Sequence, residues 1–287
     1  MVSACTFGLI PLFSVPVLRA GMATPSVMLY RFAFGTLFIL LGMMLQRMSL
    51  RVTWSQLWRI ALLAMLNVAT ALSMVWGYEF MPSGPACTIQ FSYPVFTCLL
   101  MVAFFNERVH WPTALAIGLA VMGVAALSGL GSCTITRSMA IGVAAELFAG
   151  LSYAIYLVLV PVFKLGGMHC LKLTFWVFAL SEVLLLAITP STPAGIEMVP
   201  DGKILFTLIL LGLVPTALSN FTLIVGLQNI GSTLTSILGA LEPLTAMVVG
   251  VLVLGEAFTW ASALGLALII AAVIILVLQE QPKRTKH

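Results

Sequence analysis

The sequence predicts an all-α integral membrane protein with ten transmembrane helices in two inverted five-helix repeats. Three observations predict this fold class: an apolar composition, apolar runs of membrane-spanning length, and an internal repeat. Hydrophobic residues make up 61% of the 287 positions and charged residues only 8%, whereas about 25% of a typical soluble domain is charged. So few charges cannot cover a water-facing surface, and the composition excludes a soluble domain.

Apolar runs of about twenty residues alternate with short polar or Pro/Gly clusters along the whole chain. A helix of that length, rising about 1.5 Å per residue, crosses a hydrocarbon core of about 30 Å. We therefore expect spans 1 to 10 at residues 2–18, 25–46, 57–79, 85–105, 112–130, 138–162, 170–189, 203–226, 232–254 and 258–279. Because the first run lacks the basic leader of a signal peptide, we expect it to be retained.

The two halves of the chain repeat one another at a constant offset of 149 residues. The matching residues are Pro94, Glu107, Trp111 and Leu115 in the first half and Pro243, Glu256, Trp260 and Leu264 in the second. We expect one repeat over residues 1–130, a second over 138–279, and a basic tail over 280–287. Because each repeat holds an odd number of spans, the second enters the membrane from the opposite side, which makes the repeats inverted.

The distribution of basic residues predicts the orientation, because cytoplasmic loops carry an excess of Lys and Arg. With the N-terminus in the cytoplasm, the basic residues on the cytoplasmic side are Arg47, Arg51, Arg59, Arg108, Lys164, Lys172, Lys283, Arg284 and Lys286. Only Arg19, Arg137 and Lys203 fall outside, and Arg31 lies within a span. We expect both termini in the cytoplasm, as in a bacterial inner (plasma) membrane protein. The net charge of +4 reflects this topology and does not indicate a nucleic-acid partner.

Four ionisable residues lie inside predicted spans: Arg31, Glu146, Glu182 and Glu242. A charged side chain at the centre of a membrane helix costs about 2.5 to 3.5 kcal/mol, so such residues usually face a partner or a wet cavity. Counted from the outer helix ends, the first three lie about 9 to 12 Å below the outer surface. We expect them to share one layer, and Glu242 to lie near the middle of the membrane.

The guanidinium of Arg31 stays charged at that depth, so Glu146 or Glu182 is expected beside it as a counter-ion. A second carboxylate in the same layer would feel both burial and a like charge, which would prepare it to exchange a proton near neutral pH. This arrangement is a candidate for proton coupling. The alternative is a static Arg–Glu pair that holds span 2 against span 6 or 7. Glu146 favours function because Gly142 and Gly150 lie one turn away and leave room beside it.

Glu242 directly precedes Pro243 near the middle of span 9. Proline removes a backbone donor and frees a carbonyl one turn earlier, so a kink beside this carboxylate is a candidate gate or binding element. The alternative is a purely structural kink. In the first repeat Tyr93 precedes Pro94, so the carboxylate occurs in one copy only. This asymmetry is consistent with a functional role.

Several polar and aromatic side chains lie deep enough in the spans to line a cavity: Gln90, Tyr93, Tyr153, Tyr156 and Asn220. Aromatic rings together with a buried cation and buried acids suit an amphipathic zwitterion such as an amino acid. Arg31 would attract the carboxylate of such a substrate, and Glu242 or Glu146 its ammonium.

Glu107 and Glu256 end spans 4 and 9, just before the next helices begin at Trp111 and Trp260. A carboxylate at such a turn can accept from the free N–H groups of a helix start and meets a favourable helix dipole. We therefore expect a structural capping role for both glutamates.

Spans 5 and 10 each carry a small-x-x-x-small pattern, at residues 114–118 and 261–265. Such patterns let two membrane helices approach closely. They suit a homodimer through spans 5 and 10, although similar patterns are common in membrane helices and do not prove one.

The segments around the two prolines carry a family resemblance. Tyr93-Pro94 through Phe105-Asn106-Glu107-Arg108, and Leu241-Glu242-Pro243 through Leu254-Gly255-Glu256, resemble the two EamA-type repeats of the drug/metabolite transporter superfamily. The likeness also covers Arg31 and Leu151-Ser152-Tyr153-Ala154, and so extends over nearly the whole chain. It implies two inverted halves, with spans 1–4 and 6–9 around a central cavity and spans 5 and 10 at the periphery. It also implies facilitated or proton-linked movement of small metabolites such as amino acids, often as export.

Three classes of function are compatible with such a membrane chain. A secondary transporter explains the repeat, the inversion and the intramembrane charges together. An intramembrane enzyme acting on a lipid-type substrate needs a carboxylate or histidine cluster near one interface, but the acids are spread over spans 6, 7 and 9. A structural or receptor-like protein does not need duplicated halves. The cysteines form no C-x-x-C, and no nucleotide-binding or hydrolase motif is present. We expect a non-enzymatic transporter without cofactor or metal, whose partners are a small-molecule substrate and the lipid bilayer.

Overall fold

The computed structural model describes residues 1–80, 89–105, 111–128, 137–163, 165, 168–191, 195–253 and 260–280. All regular secondary structure in these residues is helical. Inside a membrane every backbone N–H and C=O must be paired within the protein, and a helix pairs them within one segment. The all-α class predicted from the sequence is confirmed.

The first half contains helices α1 to α6, at Val2–Phe7, Ile10–Arg19, Thr24–Leu45, Trp54–Phe80, Tyr93–Phe105 and Trp111–Ser128. Local sequence explains where α4 begins. The hydroxyl of Thr53 accepts from the backbone N–H of Gln56, and the side chain of Gln56 accepts from the N–H of Thr53. This reciprocal pair is a capping box, which satisfies two N–H groups that a helix start leaves free.

The second half contains α7 at Arg137–Val162, α8 at Cys170–Ile188 and α9 at Gly202–Gly212. A π-helical turn at Leu213–Leu218 follows, and then come α10 at Ser219–Leu238, α11 at Leu241–Val253 and α12 at Trp260–Glu280. Asp201 caps α9, because its Oδ1 accepts a 2.7 Å hydrogen bond from the N–H of Ile204.

Within the described residues, five helical stretches are long and apolar enough to cross a membrane: Thr24–Leu45, Trp54–Gly77, Ala140–Val162, Cys170–Ile188 and Gly202–Leu238. Five shorter apolar stretches lie at Val2–Leu18, Tyr93–Phe104, Trp111–Gly123, Leu241–Val253 and Ala263–Ile275. Nine of these stretches each overlap one predicted span, and Gly202–Leu238 covers span 8 and the first residues of span 9. The ten-helix architecture is therefore confirmed.

Spans 1 and 8 differ from the sequence-based expectation. Span 1 is interrupted, because α1 ends at Phe7 and α2 begins at Ile10. Span 8 was expected to end at residue 226, but its helix continues to Gly231, whose φ of 78° and ψ of 175° interrupt it. Glycine adopts such a φ without steric cost. Asn229 fits this longer helix because its amide donates to the carbonyl of Val225 at 2.7 Å.

The two halves pack with two-fold pseudosymmetry. Helix α3 of span 2 packs against α8 of span 7, and α6 of span 5 packs against α12 of span 10, so equivalent spans contact each other. The contact of α4 with α7 joins spans 3 and 6, and the contact of α9 with α2 joins the equivalent spans 8 and 1. This pairing is the one expected of inverted repeats.

The helices of spans 5 and 10 contact each other within one chain. A Cβ atom added at Gly123 would lie 2.8 Å from the carbonyl oxygen of Gly265, so the two backbones approach closely there. Gly265 of the small-residue pattern is thus used inside the chain. Gly118 of the other pattern has no described atom within 4 Å of the position its Cβ would take.

Several predicted features lie outside the described residues: the turn caps Glu107 and Glu256, and residues 281–287 of the basic tail. The tryptophans that open the next helices are described. The exposed fractions of Trp111 and Trp260 are 78% and 92%. Such exposure suits aromatic side chains that anchor helix ends at the membrane interface.

Candidate functional site

Span 9 is built from two helical segments that meet beside Glu242. Helix α10 ends before Gly239, and α11 begins at Leu241 after a short turn. Glu242 and Pro243 therefore occupy the first turn of α11, where the missing N–H of proline is not needed. The expected proline kink is thus a full interruption of the helix. The carboxylate of Glu242 lies at a helix start, where the helix dipole favours negative charge.

Span 4 is interrupted at the equivalent position. Helical residues 89 and 90 are followed by a turn, and α5 begins at Tyr93. Tyr93 and Pro94 are the first two residues of α5. Glu242 and Pro243, at the equivalent positions of the second repeat, lie in the first turn of α11. The hydroxyl of Tyr93 donates a hydrogen bond of 3.3 Å to Oε1 of Glu242. Two residues at equivalent repeat positions are therefore bonded to each other.

Two glycines allow the Tyr93–Glu242 pair to form. A side chain at Gly239 would overlap the hydroxyl of Tyr93. A side chain at Gly8 would overlap the backbone carbonyl of Glu242 and lie close to Thr245. Because Gly8 lies between α1 and α2, the interruptions of spans 1 and 9 face each other.

Two cavities meet at the Tyr93–Glu242 pair. Cavity 1, of about 450 Å³, is lined by Phe7, Gly8, Ile10, Pro11, Met74, Gln90, Phe91, Tyr93, Glu242, Pro243 and Ala246. Cavity 2, of about 390 Å³, is lined by Met1, Ser3, Ala4, Tyr93, Tyr153, Leu157, Thr222, Leu223, Gly226, Ile230, Thr235, Leu238, Gly239 and Glu242. Among the described residues, Tyr93 and Glu242 alone belong to both linings.

The two cavities extend toward opposite faces of the membrane. Cavity 1 is lined by Met74 near the end of span 3 and by Gln90 near the start of span 4, and these helix ends lie at one face. Cavity 2 is lined by Ser3 at the start of span 1 and by Ile230 at the end of span 8. Because successive spans cross the membrane in alternating directions, these ends lie at the other face. The Tyr93–Glu242 pair thus lies between cavities of opposite orientation.

Tyr153 of α7 extends an aromatic cluster around this pair. Its ring centroid lies 4.8 Å from that of Tyr93, 6.4 Å from that of Phe7 and 6.3 Å from that of Tyr156. Tyr153 lines cavity 2 and Gln90 lines cavity 1. Tyr156 packs behind Tyr153 and is buried, and it is not among the described residues that line either cavity.

Arg31 is held by span 8 and lies outside both cavities. Its side chain is 3% exposed, and its Nε donates a 2.7 Å hydrogen bond to Oγ1 of Thr216. The guanidinium carbon lies 5.7 Å from the ring centroid of Phe7 and 5.8 Å from that of Phe32. The sequence predicts a partner in span 6 or 7, whereas these contacts join span 2 to spans 8 and 1.

Thr216 is a partner of Arg31 that no sequence pattern predicted. It lies in the π-helical turn, and its hydroxyl donates to the carbonyl of Leu211 at 2.8 Å. The amide of Asn220 donates to the carbonyl of Thr216 at 3.0 Å, and Asn220 is not among the described cavity-lining residues. Pro215 is the sequence feature that could have predicted this contact. A proline inside a span frees backbone groups, which nearby side chains then satisfy.

Glu146 is fully buried between α7 and α4, with an exposed fraction of 0%. Both of its carboxylate oxygens are without a hydrogen-bond partner in the part of the chain that the structure describes. A side chain at Gly77 of α4 would overlap this carboxyl group, so Gly77 provides its space. Gly150, expected to leave room for Glu146, instead lies against the backbone carbonyl of Gln90. The sequence offered Glu146 as a counter-ion of Arg31, but no hydrogen bond between the two is present in the described residues.

Glu182 of α8 is half-buried, and its Oε2 also lacks a hydrogen-bond partner among the described residues. The preceding residue, Ser181, accepts a 3.2 Å hydrogen bond from Asn67 of α4 and donates one of 3.4 Å to the carbonyl of Ala64. These bonds tie span 7 to span 3. In the described ranges, no hydrogen bond joins Glu182 to Arg31, so the expected charged layer does not form a bonded cluster there.

Inverted repeats around two cavities that share one acidic residue define the class of a membrane transporter. The family model of the EamA-like transporter family matches residues 1–129 and 140–278. The chain belongs to this family, which lies within the drug/metabolite transporter superfamily.

Curated relatives are similar over most of the chain. An uncharacterized transporter of Archaeoglobus fulgidus is 29% identical over 213 residues, which cover 74% of each chain. An uncharacterized transporter of Synechocystis sp. is 27% identical over 69% of this chain and 60% of its own length. Protein PecM of Dickeya dadantii is 26% identical over 76% of this chain and 73% of its own length.

A solved crystal structure of another protein has the same fold. It matches with a TM-score of 0.82 at 16% identity and covers 100% of this chain and 96% of the other. Identity this low indicates a shared architecture and does not transfer a substrate.

Proposed function

We propose that the protein is a secondary transporter that exports a small metabolite, an amino acid or a similar compound, by alternating access. The observation that carries this proposal is the Tyr93–Glu242 pair, shared by two cavities directed to opposite faces. In alternating access, one central site is reached from each face in turn. A pair that lines both cavities lies where a passing substrate would be held.

The interrupted helices support this mechanism. Spans 1, 4 and 9 each break near the pair, and Tyr93 and Glu242 lie at the starts of new helical segments. Discontinuous helices occur at transporter sites because they present backbone groups and helix ends to a cavity. In the proposed cycle, the bond between Tyr93 and Glu242 opens when the substrate passes and forms again behind it.

Proton coupling is the proposed energy source. The carboxylates of Glu146 and Glu182 have buried oxygens without a hydrogen-bond partner among the described residues. An unpaired negative charge at membrane depth is unfavourable, so binding of a proton or a cation to such a group lowers the free energy. Glu242 is the first candidate for coupling, because of these three acids it alone lines the described cavities.

The proposed location is a bacterial inner (plasma) membrane with both termini in the cytoplasm, which follows from the excess of basic residues on that side. Cavity 2 would then face the cytoplasm. In a cysteine-free background, Met198→Cys in the loop before α9 should react with an impermeant thiol reagent on intact cells. Ser49→Cys in the loop before α4 should react only after permeabilisation. The reverse pattern would contradict the orientation.

A homodimer through spans 5 and 10 is also proposed, within the lipid bilayer. Its support is Gly118 of α6, which has no described neighbour within 4 Å of its Cβ position and so leaves room for another helix. Gly118→Cys should then cross-link two copies in native membranes with a short bifunctional reagent. Absence of cross-linking, with normal labelling of the thiol, would contradict this dimer.

Flux through liposomes tests the transport function. Purified protein should release preloaded solutes from a panel of amino acids, amines and nucleosides, chemically unchanged, and faster when a proton gradient is imposed. Glu242→Gln should abolish this flux. Glu197→Gln is the matched control, because Glu197 lies in a loop and its carboxylate accepts a 2.5 Å hydrogen bond from the N–H of Ala23, which an amide oxygen also accepts. Equal flux in both variants, or chemical conversion of the solute, would contradict the proposal.

A further inference from the structure

We propose that the cargo is recognised through an ammonium group alone, by Glu242 and the aromatic rings beside it, so that the carrier prefers organic amines to zwitterions and to carboxylic acids. The inference rests on the proposed transport function and names its substrate class. The sequence favoured a zwitterion such as an amino acid as the substrate. The inference replaces it with a cation that has an apolar body.

The charge balance of cavity 1 supports a cationic substrate. Glu242 lines both cavities. Among the described residues, cavity 1 has no cationic group in its lining, whereas cavity 2 is lined by Met1, whose amino group interacts electrostatically with Glu242. A carboxylate at membrane depth is stabilised by a partner of opposite charge. The single described hydrogen bond to its side chain, from Tyr93 to Oε1, leaves Oε2 available to accept from an ammonium N–H.

Aromatic rings line the same cavities as this carboxylate. Phe7, Phe91 and Tyr93 line cavity 1, and Tyr153 lines cavity 2 together with Tyr93. The centroid of Tyr93 lies 5.3 Å from that of Phe91 and 4.8 Å from that of Tyr153, with both pairs edge to face. Ring faces attract cations within about 6 Å of their centroids. An acid beside several rings is therefore a site for an ammonium group on an apolar body.

A substrate carboxylate would need a cationic partner such as Arg31. The side chain of Arg31, however, contacts span 8 and does not line either cavity in the described part of the chain. Its guanidinium lies 5.7 Å from the ring centroid of Phe7, and that ring lines cavity 1, whereas Arg31 is absent from the described linings. Its Nε is bonded to Thr216 in span 8. A substrate carboxylate in cavity 1 would lose its water without gaining a described cationic partner, which is unfavourable.

The remaining lining of cavity 1 fits the body of an amine. Met74, Ile10 and Pro11 provide apolar surface, and Gln90 provides the amide that can hydrogen-bond a second polar group. Apolar walls with few polar groups favour an alkyl or aryl amine over a sugar or a nucleotide.

Matched probes separate the three substrate classes. Phenethylamine, phenylalanine and hydrocinnamate share a ring and chain and carry an ammonium, both groups, or a carboxylate. Pentylamine, norleucine and hexanoate form the same series with an aliphatic body. Binding of each to the full-length protein in detergent should be measured by calorimetry at mildly alkaline pH, where carboxylates are ionised and alkylamines remain protonated. We expect each amine to bind at least about tenfold more tightly than its zwitterion, and no binding of the acids.

Variants assign the preference to particular groups. Glu242→Gln should remove amine binding, and Tyr153→Leu should weaken it by about threefold to thirtyfold, as expected for loss of one cation–π contact. Glu197→Gln should bind the amines as the parent protein does. A zwitterion or acid that binds as tightly as its amine, amines that bind equally well to Glu242→Gln, or absence of amine binding in both series would overturn the inference.

The same probes in liposomes distinguish this inference from the transport function. Flux of the zwitterions at the rate of the amines would leave the transporter intact and overturn the ammonium-only recognition. Tight binding of the amines without flux of any solute would support the site and contradict the transport function. Selective flux of the amines would support both.

Discussion

Tyr93 and Glu242 occupy equivalent positions of the two repeats, 149 residues apart, and the hydroxyl of the first donates a hydrogen bond to the carboxylate of the second. Equivalent residues of two-fold related halves can touch only near the pseudosymmetry axis. The two copies have diverged into a donor and an acceptor. Two carboxylates at this contact would repel each other, and two tyrosines would provide no charge for a substrate.

The first prediction concerns the strength of this contact. A double-mutant cycle of Tyr93→Phe and Glu242→Leu should give a coupling free energy of about 0.5 to 1.5 kcal/mol. The hydrogen bond joins a neutral hydroxyl to a carboxylate, which strengthens it, but both groups line the cavities, which weakens it. The measurement is reversible unfolding of the four proteins in mixed micelles. Strictly additive effects would mean that the bond contributes nothing to the stability of this state.

The second prediction concerns Gly239, which faces the hydroxyl of Tyr93. Its φ of −58° and ψ of −18° are acceptable for alanine, but an added Cβ atom would overlap the hydroxyl of Tyr93 and lie 2.9 Å from the backbone carbonyl oxygen of Ser236. We expect a loss of about 1 to 3 kcal/mol of unfolding free energy. Adding Tyr93→Phe removes the overlapping hydroxyl and should restore part of the loss.

Gly42→Ala serves as the control for Gly239→Ala, because no described atom lies within 4 Å of its Cβ position. It should be neutral or slightly stabilising, since alanine is the better helix former. If Tyr93→Phe worsened Gly239→Ala instead of rescuing it, the assigned contact would be wrong.

The third prediction concerns the buried carboxyl group of Glu146. Gly77→Ala should lower the unfolding free energy by about 1 to 3 kcal/mol, because the new methyl group takes the space of that side chain. Glu146→Ala in the same chain should recover most of this loss, since it vacates the space. Gly42→Ala, on a helix surface without described neighbours within 4 Å, is the matched control. Equal destabilisation with and without Glu146 would refute the contact.

The spans were predictable because the membrane requirement is local. A run of apolar residues of a given length must form a helix there, and the constant offset between the two prolines revealed the repeat. The interruption of span 1 was not predicted, since Pro11 alone does not show whether a helix bends or stops. Its cause is tertiary: Gly8 must admit the carbonyl of Glu242.

The charged contacts were predicted less well, for a geometric reason. Counting residues from a helix end gives the depth of a side chain but not the direction in which it points around the helix axis. Arg31 and Glu146 were placed at similar depth, yet one faces span 8 and the other faces span 3. Rotation of each helix is set by packing, which no single segment of sequence specifies.

The last prediction concerns the hydrogen bond between Arg31 and Thr216. Thr216→Val keeps the shape of the side chain but removes the acceptor of the Arg31 Nε–H and the donor to the carbonyl of Leu211. A hydrogen bond to a charged group contributes about 1.5 to 3 kcal/mol, so we expect a loss of this size in the unfolding free energy. Thr216→Ser retains the hydroxyl and should remain close to the parent protein.

Thr207→Val is the matched control for Thr216→Val, because the hydroxyl of Thr207 also bonds a carbonyl of its own helix, that of Lys203 at 2.9 Å, but has no described bond to a charged side chain. The loss for Thr207→Val should stay below about 1 kcal/mol. If both valine variants lost the same free energy, the stabilisation would come from the helix alone, and Arg31 would not depend on Thr216. A larger loss for Thr216→Val, recovered by serine, would identify this hydroxyl as the group that fixes span 2 against span 8.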